Sequence, residues 1–399
     1  MEFRYDPQAR RLRMRALVPA GHHAEKFVAV DQFKFGVEEE YFLSDAKTFD
    51  VAAETPDALF ETADFGVSGR IEREFLQAQI EVATEPHCRV GDARVELLRL
   101  RQNAAAAAAE HGLVVLACGT HPLAHWRQSV QSPKDRYSHV MDVLQMIGQR
   151  NMLCGMHVHV EFPDPRRRVD VMARILPYLP LFIALSASSP FWQGRATGLK
   201  AYRLAAYDEL PRTGLPELFR SNEDYEAYVN AMVRAGAMRD ASHLWWSIRP
   251  SLKYPTLELR APDSCTRVDD TIAIAALYRA LVRYLYDHPE HNGEIDSVDR
   301  AIAVENKWRA QRYGVQGTFV TRAGAGVSVA ETLDRVLGLI GADGEALDCA
   351  DQLEHCRFIV LEGTSADAQL RIFTESEHEG ADIALHKVIR WVRDATLVA

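Results

Sequence analysis

Seven residues in four short segments have the types and spacing for chemistry on charged oxygen: Glu38 and Glu40, Glu81, His157 and His159, Glu258 and Arg260. Three of the segments repeat an i, i+2 pair. On a strand, successive side chains alternate between faces, so each pair projects from one side. Two carboxylates side by side repel each other. Several oxygen ligands with one or two imidazoles suit a hard divalent cation, Mg²⁺ or Mn²⁺, better than zinc. Within the His157–Val158–His159 pair the spacing makes one imidazole a ligand and the other its neighbour, without saying which. Arg260 projects into the same site. There it is either an ion-pair partner of the carboxylates or a bidentate clamp for phosphoryl oxygens.

The elements that must position these residues follow from the same alternation. In Phe33 to Leu43, Phe33, Phe35, Val37, Tyr41 and Leu43 share one face, Glu38 and Glu40 share the other, and Glu39 interrupts the apolar side. Ile80 and Val82 oppose Gln77, Gln79 and Glu81. Met156, Val158 and Val160 oppose His157, His159 and Glu161, and Leu257 and Leu259 oppose Thr256, Glu258 and Arg260. Four such strands predict one antiparallel sheet, with helices on its apolar side and an acidic site on the other. A fifth strand is expected at Leu113 to Cys118. Helices are expected over Gly91–Glu110, from a Ser132-Pro133 cap to about Asn151, over Val169–Ser186, from a Ser221/Asp224 capping box to Ala235, over Asp269–Asp287 and Ser297–Tyr313, and through most of 327–399. Gly194 to Leu215, with Arg195, Thr197, Tyr202 and Arg203, reads as a long loop of the kind that often forms a lid. Residues 1–32 read as an N-terminal extension, and 33–399 as a single catalytic domain.

Composition sets the outer bounds. The 399 residues carry a net charge of -10 with a sequence pI near 5.9, which speaks against nucleic-acid or anionic-membrane partners. Six scattered cysteines form no C-x-x-C pair and suggest reduced thiols in a cytoplasmic protein. The apolar run Ile175 to Pro190 is interrupted by Pro177 and Pro180 and reads as a buried helix rather than a membrane span. No G-x-x-x-x-G-K-S/T or G-x-S-x-G motif occurs, and RAGAGV around Gly324 follows no convincing strand. Thr120-His121 has no visible Ser or Cys partner.

GVEEEYF at Gly36, QIEVAT at Gln79, CGTHP at Cys118, RY at Arg136, GMHVHV at Gly155, ALSASSPFWQG at Ala184, RP at Arg249, TLELRAPD at Thr256 and ENKWRAQRYG at Glu305 occur in that order. With them the chain resembles the bacterial carboxylate-amine ligase family, also called glutamate–cysteine ligase type 2. The resemblance implies an α+β, glutamine-synthetase-like fold in which a curved antiparallel sheet forms a funnel floored by divalent cations and ATP. By that match Glu38, Glu40, Glu81, His157 and Glu258 would hold Mg²⁺, and Glu38, Glu40, His157 and Arg260 the nucleotide phosphates. Arg260 and Glu258 would be catalytic, with Arg136, Arg249, Asn306, Arg309 and Arg312 as substrate-side groups. The implied activity is ATP-dependent joining of a carboxylate, the γ-carboxylate of glutamate, to an amine such as cysteine through an acyl phosphate. The alternative is a metal-dependent hydrolase of γ-glutamyl amides on the same scaffold. Small-molecule substrates and a homodimer are the partners expected.

Overall fold

The computed structural model describes residues 32–62 and 71–398. The N-terminal extension expected over 1–32 therefore lies, Gln32 apart, outside the described residues. In chain order the strands are β1 (Phe35–Asp45), β2 (Ile71–Arg73), β3 (Gln79–Ala83), β4 (Leu113–Leu116) and β5 (Met156–Glu161). A small hairpin, β6 (Phe191–Trp192) and β7 (Arg195–Ala196), is followed by β8 (Ile248–Pro250) and β9 (Thr256–Leu259). A second hairpin pairs β10 (Thr318–Val320) with β11 (Gly326–Ser328). The main sheet runs β2-β3-β1-β5-β9-β8, and β4 pairs with the far end of β1. Every pairing is antiparallel, so the four ligand-bearing strands lie in one sheet with helices packed on it.

The alternation has the expected consequence. Phe35, Val37, Tyr41, Leu43, Ile80, Val82, Met156, Val158, Val160, Leu257 and Leu259 are all buried in one core. Each such side chain contributes about 1.5–3 kcal/mol on leaving water. The helices Val90–Glu110 and Val268–Asp287 pack against each other beneath the sheet. The second is buried nearly all round, as befits a central helix. The apolar run expected to be a buried helix includes Leu179–Ser186, every residue of which is buried.

Glu39 faces this core and is fully buried. Its carboxylate accepts Arg101 Nε at 2.9 Å and Nη2 at 2.6 Å, with hydroxyls of Thr271 at 2.6 Å and Tyr41 at 2.5 Å. The apparent interruption of the apolar face is thus a saturated polar node. On the opposite face, Phe42 joins a second core with Leu116, Phe75, Leu76 and Val388. That core closes one end of the sheet's polar face, leaving the Gly36–Glu40 portion open.

Three expectations need correction. The helix at 132–151 begins at Asp135 with Lys134 at its cap position, not at Ser132, and it breaks at Gln145, where φ is 53°. A short helix, Met146–Gln149, follows. The stretch 194–215 is not all loop, because β7 and a helix over Tyr202–Tyr207 lie within it.

Candidate active site

The open part of the sheet's polar face floors a cleft of about 1390 Å³. Strand register decides which side chains meet there. Glu40 stands opposite Glu81, Glu38 opposite His157, His159 opposite Glu258, and Glu258 opposite Arg249. Directly opposed residues on an antiparallel pair bring their Cβ atoms to about 4.5–5.5 Å. The result is three overlapping groups whose ligand atoms lie within 4.8 Å of one another: Glu38, Glu81 and His157; Glu38, His159 and Glu258; and Glu40, Glu74 and Glu81. Glu38 and Glu81 are each shared by two groups.

The electrostatics separate these carboxylates. Burial works against ionisation of Glu38, but His157 Nδ1 and His159 Nε2, each 3.4 Å from its oxygens, hold it well below the usual carboxylate range. Burial, then the neighbouring charge of Glu74, pushes Glu40 up to about 7. Glu81 is raised well above the usual carboxylate range, by burial and then by Glu38, Glu74 and Glu40. Burial and the nearby Arg260 keep His157 neutral, lowered to about 4. Its Nε2 is buried without a hydrogen-bond partner, 3.8 Å from Glu40 Oε1. A lone pair left bare beside mutually repelling carboxylates fits a divalent cation, which satisfies the imidazole and relieves the repulsion together.

Glu258 belongs to both the acidic floor and a cationic wall. Burial opposes its charge, yet Arg260 and Arg249 hold it ionised. Arg249 donates Nε to Glu258 Oε2 at 2.7 Å and Nη2 to Oε1 at 3.2 Å, with Nη1 fixed by the carbonyls of Ser242 and Leu244. Arg260 pairs with Glu258 through Nη1 and donates Nη2 to the Tyr207 hydroxyl at 3.3 Å. Both arginines line the cleft, as do Lys134 and Arg203.

Glu38, Glu40, Glu81, His157, His159, Glu258, Arg260 and Arg249 thus come together, whereas Asn306, Arg309 and Arg312 do not line the cleft. Asn306 exchanges two hydrogen bonds with the Val320 backbone, at 2.9 and 2.7 Å. Arg309 bonds the Thr318 hydroxyl at 2.6 Å, so both residues pin the β10–β11 hairpin. Arg312 is exposed beside the ring of Tyr313. Arg136 lies on the Asp135–Leu144 helix, and its side chain is outside the described residues.

The sequence reading missed Glu74, Lys134 and Tyr207. For Glu74 a signal existed: Glu72, Glu74 and Arg73 continue the alternation of β2 into the turn before β3. His121 does have a serine partner, since its Nε2 is 2.9 Å from Ser44 Oγ. Its Nδ1 accepts the backbone N–H groups of Leu123 and Ala124 at 3.2 and 3.0 Å. Both Ser44 and His121 are buried, so this is a satisfied core histidine rather than a nucleophile and base.

The chain is similar to known proteins in sequence and in fold. The profile of glutamate–cysteine ligase family 2 (GCS2) matches residues 34–386. A relative from Bradyrhizobium sp. (strain BTAi1 / ATCC BAA-1182), provisionally named glutamate–cysteine ligase 2, is 56% identical over 368 residues, covering 92% of this chain and 89% of the relative. A relative of the same name from Rhodospirillum rubrum is 42% identical over 353 residues, covering 87% of this chain and 91% of the relative. In fold, the chain is similar to the crystal structure of glutamate–cysteine ligase from Francisella tularensis in complex with AMP. That likeness has a TM-score of 0.68 at 13% identity and covers 92% of this chain and 89% of that one. With the family profile spanning every strand of the sheet, the chain belongs to glutamate–cysteine ligase family 2.

Proposed function

We propose that residues 33–399 form one catalytic domain that uses ATP to join a carboxylate, the γ-carboxylate of glutamate, to the amine of cysteine or a similar acceptor. The observation that carries this reading is the set of three carboxylate groupings sharing Glu38 and Glu81, walled on one side by Arg260 and Arg249. Glu38, Glu40, Glu74, Glu81, His157, His159 and Glu258 would hold Mg²⁺ or Mn²⁺. Bound there, the ions supply charge neutralisation for the nucleotide phosphates.

A carboxylate is a poor electrophile. Its oxygen attacks the γ-phosphorus of ATP, the bond to the β-phosphate oxygen breaks, and ADP leaves. The acceptor nitrogen then attacks the acyl carbon, loses a proton, and orthophosphate departs with one former carboxylate oxygen. Arg260, held in place by Glu258 and Tyr207, faces the negative charge that moves between these oxygens and stabilises it electrostatically.

The test is an assay of the purified protein with ATP, Mg²⁺, glutamate and a panel of amines, with products identified by mass spectrometry. The reading expects an amide together with stoichiometric ADP. Cleavage of γ-glutamyl amides without nucleotide, and no amide formed with it, would reject the reading.

A further inference from the structure

The ENKWRAQRYG segment, Glu305 to Gly314, lines no part of the cleft, but it holds the element that carries Tyr207 there. That element is the helix Tyr202–Tyr207, six residues long. A helix so short is not stable on its own, so its position has to come from whatever fastens its ends. Both ends are fastened to the helix Ser297–Tyr313. At the front, the Gln311 carbonyl accepts the backbone N–H groups of Lys200 at 2.7 Å and Ala201 at 3.1 Å. That carbonyl belongs to the last turn of its own helix, where carbonyls find no partner within the helix. At the rear, the Lys307 ammonium pairs with Asp208, the residue that ends the short helix. Lys307 and Gln311 are four apart and share one face. Gly314 fits the same arrangement: an added Cβ there would sit 2.9 Å from Lys200 Cδ, at a φ of 55°.

Asp208 depends on its partner more than most acids do. An anion at the C-terminal end of a helix faces the carbonyl ends and is disfavoured there. Lys307 is only 7% exposed, so its charge is poorly screened by solvent. The pair reaches the chemistry through one neighbour. Tyr207 immediately precedes Asp208, and its hydroxyl accepts from Arg260 Nη2 at 3.3 Å. That bond is already long for N–H to oxygen, so a small displacement of the helix breaks it.

We propose that Lys307 is a positioning residue for the reaction: through Asp208 it fixes the helix Tyr202–Tyr207 so that the Tyr207 hydroxyl stays against Arg260. This deepens the proposed ligase reading and rests on it for the reaction in which Arg260 acts. Neither Lys307 nor Asp208 lines the cleft, so the effect is on geometry alone. Misplacing a catalytic group by about 1 Å costs up to about a hundredfold in rate.

The test compares the unmutated protein with Lys307→Met, Asp208→Asn, Tyr207→Phe and Tyr207→Phe/Lys307→Met, well below every melting temperature. The Asp208 side chain is 36% exposed, so water can solvate it once Lys307 is gone. Lys307→Met is expected to lower kcat roughly ten- to a hundredfold, with little change in the KM for ATP. In the Tyr207→Phe background it should cost no further kcat, because the contact it protects is already lost. A lower melting temperature with unchanged kcat would overturn the proposal and leave the pair purely structural. So would equal losses of kcat in both backgrounds. A readout without turnover comes from fluorotyrosine in place of Tyr207. Arg260→Lys should move its fluorine resonance, and Lys307→Met should move it too. A resonance that Lys307→Met leaves in place would overturn the proposal as well. If Lys307→Met does not fold, Asp208→Asn takes its place in every arm. Absence of amide product from the unmutated enzyme would count against the ligase reading alone, because the fluorine arm does not depend on turnover.

Discussion

Glu39 and Arg101 form a bidentate ion pair with no solvent exposure on either side chain, directly beneath a strand whose flanking residues Glu38 and Glu40 floor the cleft. Three consecutive glutamates thus divide by strand alternation into two for the site and one for the core. Arg101 also donates to the carbonyls of Cys265 and Thr266, both at 2.8 Å. The same guanidinium therefore ties β1 to the segment that follows β9.

Removing one partner of such a pair leaves an uncompensated buried charge and costs about 3–5 kcal/mol. Glu39→Leu and Arg101→Met are each expected to lose stability on that scale in denaturant unfolding. The double variant Glu39→Leu/Arg101→Met should lose less than the sum of the two single losses. Additive losses would mean that the two groups are not coupled.

At the floor of the cleft the sign is different. Glu81 belongs to two of the three carboxylate groups and directly faces Glu40. Outer-shell changes alone weaken metal sites about 10–100-fold, so Glu81→Gln should weaken Mn²⁺ binding at least that much in a calorimetric titration. In metal-free protein burial and the neighbouring carboxylates already favour the protonated form of Glu81, which Gln mimics in shape and charge, and Tm should not fall. A large drop in Tm with normal Mn²⁺ affinity would make Glu81 a structural residue.

Arg260 carries the catalytic expectation. Arg260→Lys keeps a positive charge but loses the planar fork that bridges Glu258 and Tyr207. Loss of one preorganised charge contact costs on the order of 3 kcal/mol, or roughly a hundredfold in kcat. The KM for ATP should change far less, and steady-state kinetics separates the two. An unaltered kcat would reduce Arg260 to an ion-pair partner of Glu258.

Acid stability should carry the signature of His121. Burial lowers its folded-state value from 6.5 to about 3. The unfolded chain therefore takes up a proton below about pH 6.5 that the folded protein refuses until about pH 3. Stability contributed by the neutral ring is present above that window and falls as pH drops through it, by about 1.4 kcal/mol per pH unit. Replacing His121 with Asn, whose side-chain oxygen can still accept from Leu123 and Ala124, should flatten that slope by one proton. Denaturant unfolding across the window checks it, and an unchanged slope would show that His121 titrates normally in the fold.

Much of this was legible in the sequence because strand alternation is local. Glu38, Glu40, Glu81, His157, His159 and Glu258 each sit next to apolar residues that fix which face they occupy. Once the strands pair antiparallel, the register brings them together. Glu74 was missed although Glu72 and Glu74 share the alternation of β2, because that strand has only three residues and Glu74 lies just past its end. Arg203, Lys134 and Tyr207 reach the cleft from helix and cap positions whose direction depends on long-range packing. Asn306, Arg309 and Arg312 were expected on the substrate side from the family resemblance, but Asn306 and Arg309 bind the β10–β11 hairpin and Arg312 is exposed, partners that no local spacing reveals. Glu39 was visible as an exception to the apolar pattern, but its partner Arg101 is 62 residues away in the chain.

The central claim is that a carboxylate is activated by direct transfer of the γ-phosphoryl group, and oxygen labelling tests it most directly. With ¹⁸O in the γ-carboxylate of glutamate, ATP, Mg²⁺ and a competent amine, the account predicts ADP and one ¹⁸O atom in the released orthophosphate for each amide formed. Label appearing in AMP, with pyrophosphate released, or unlabelled orthophosphate accompanying full amide formation, would contradict it.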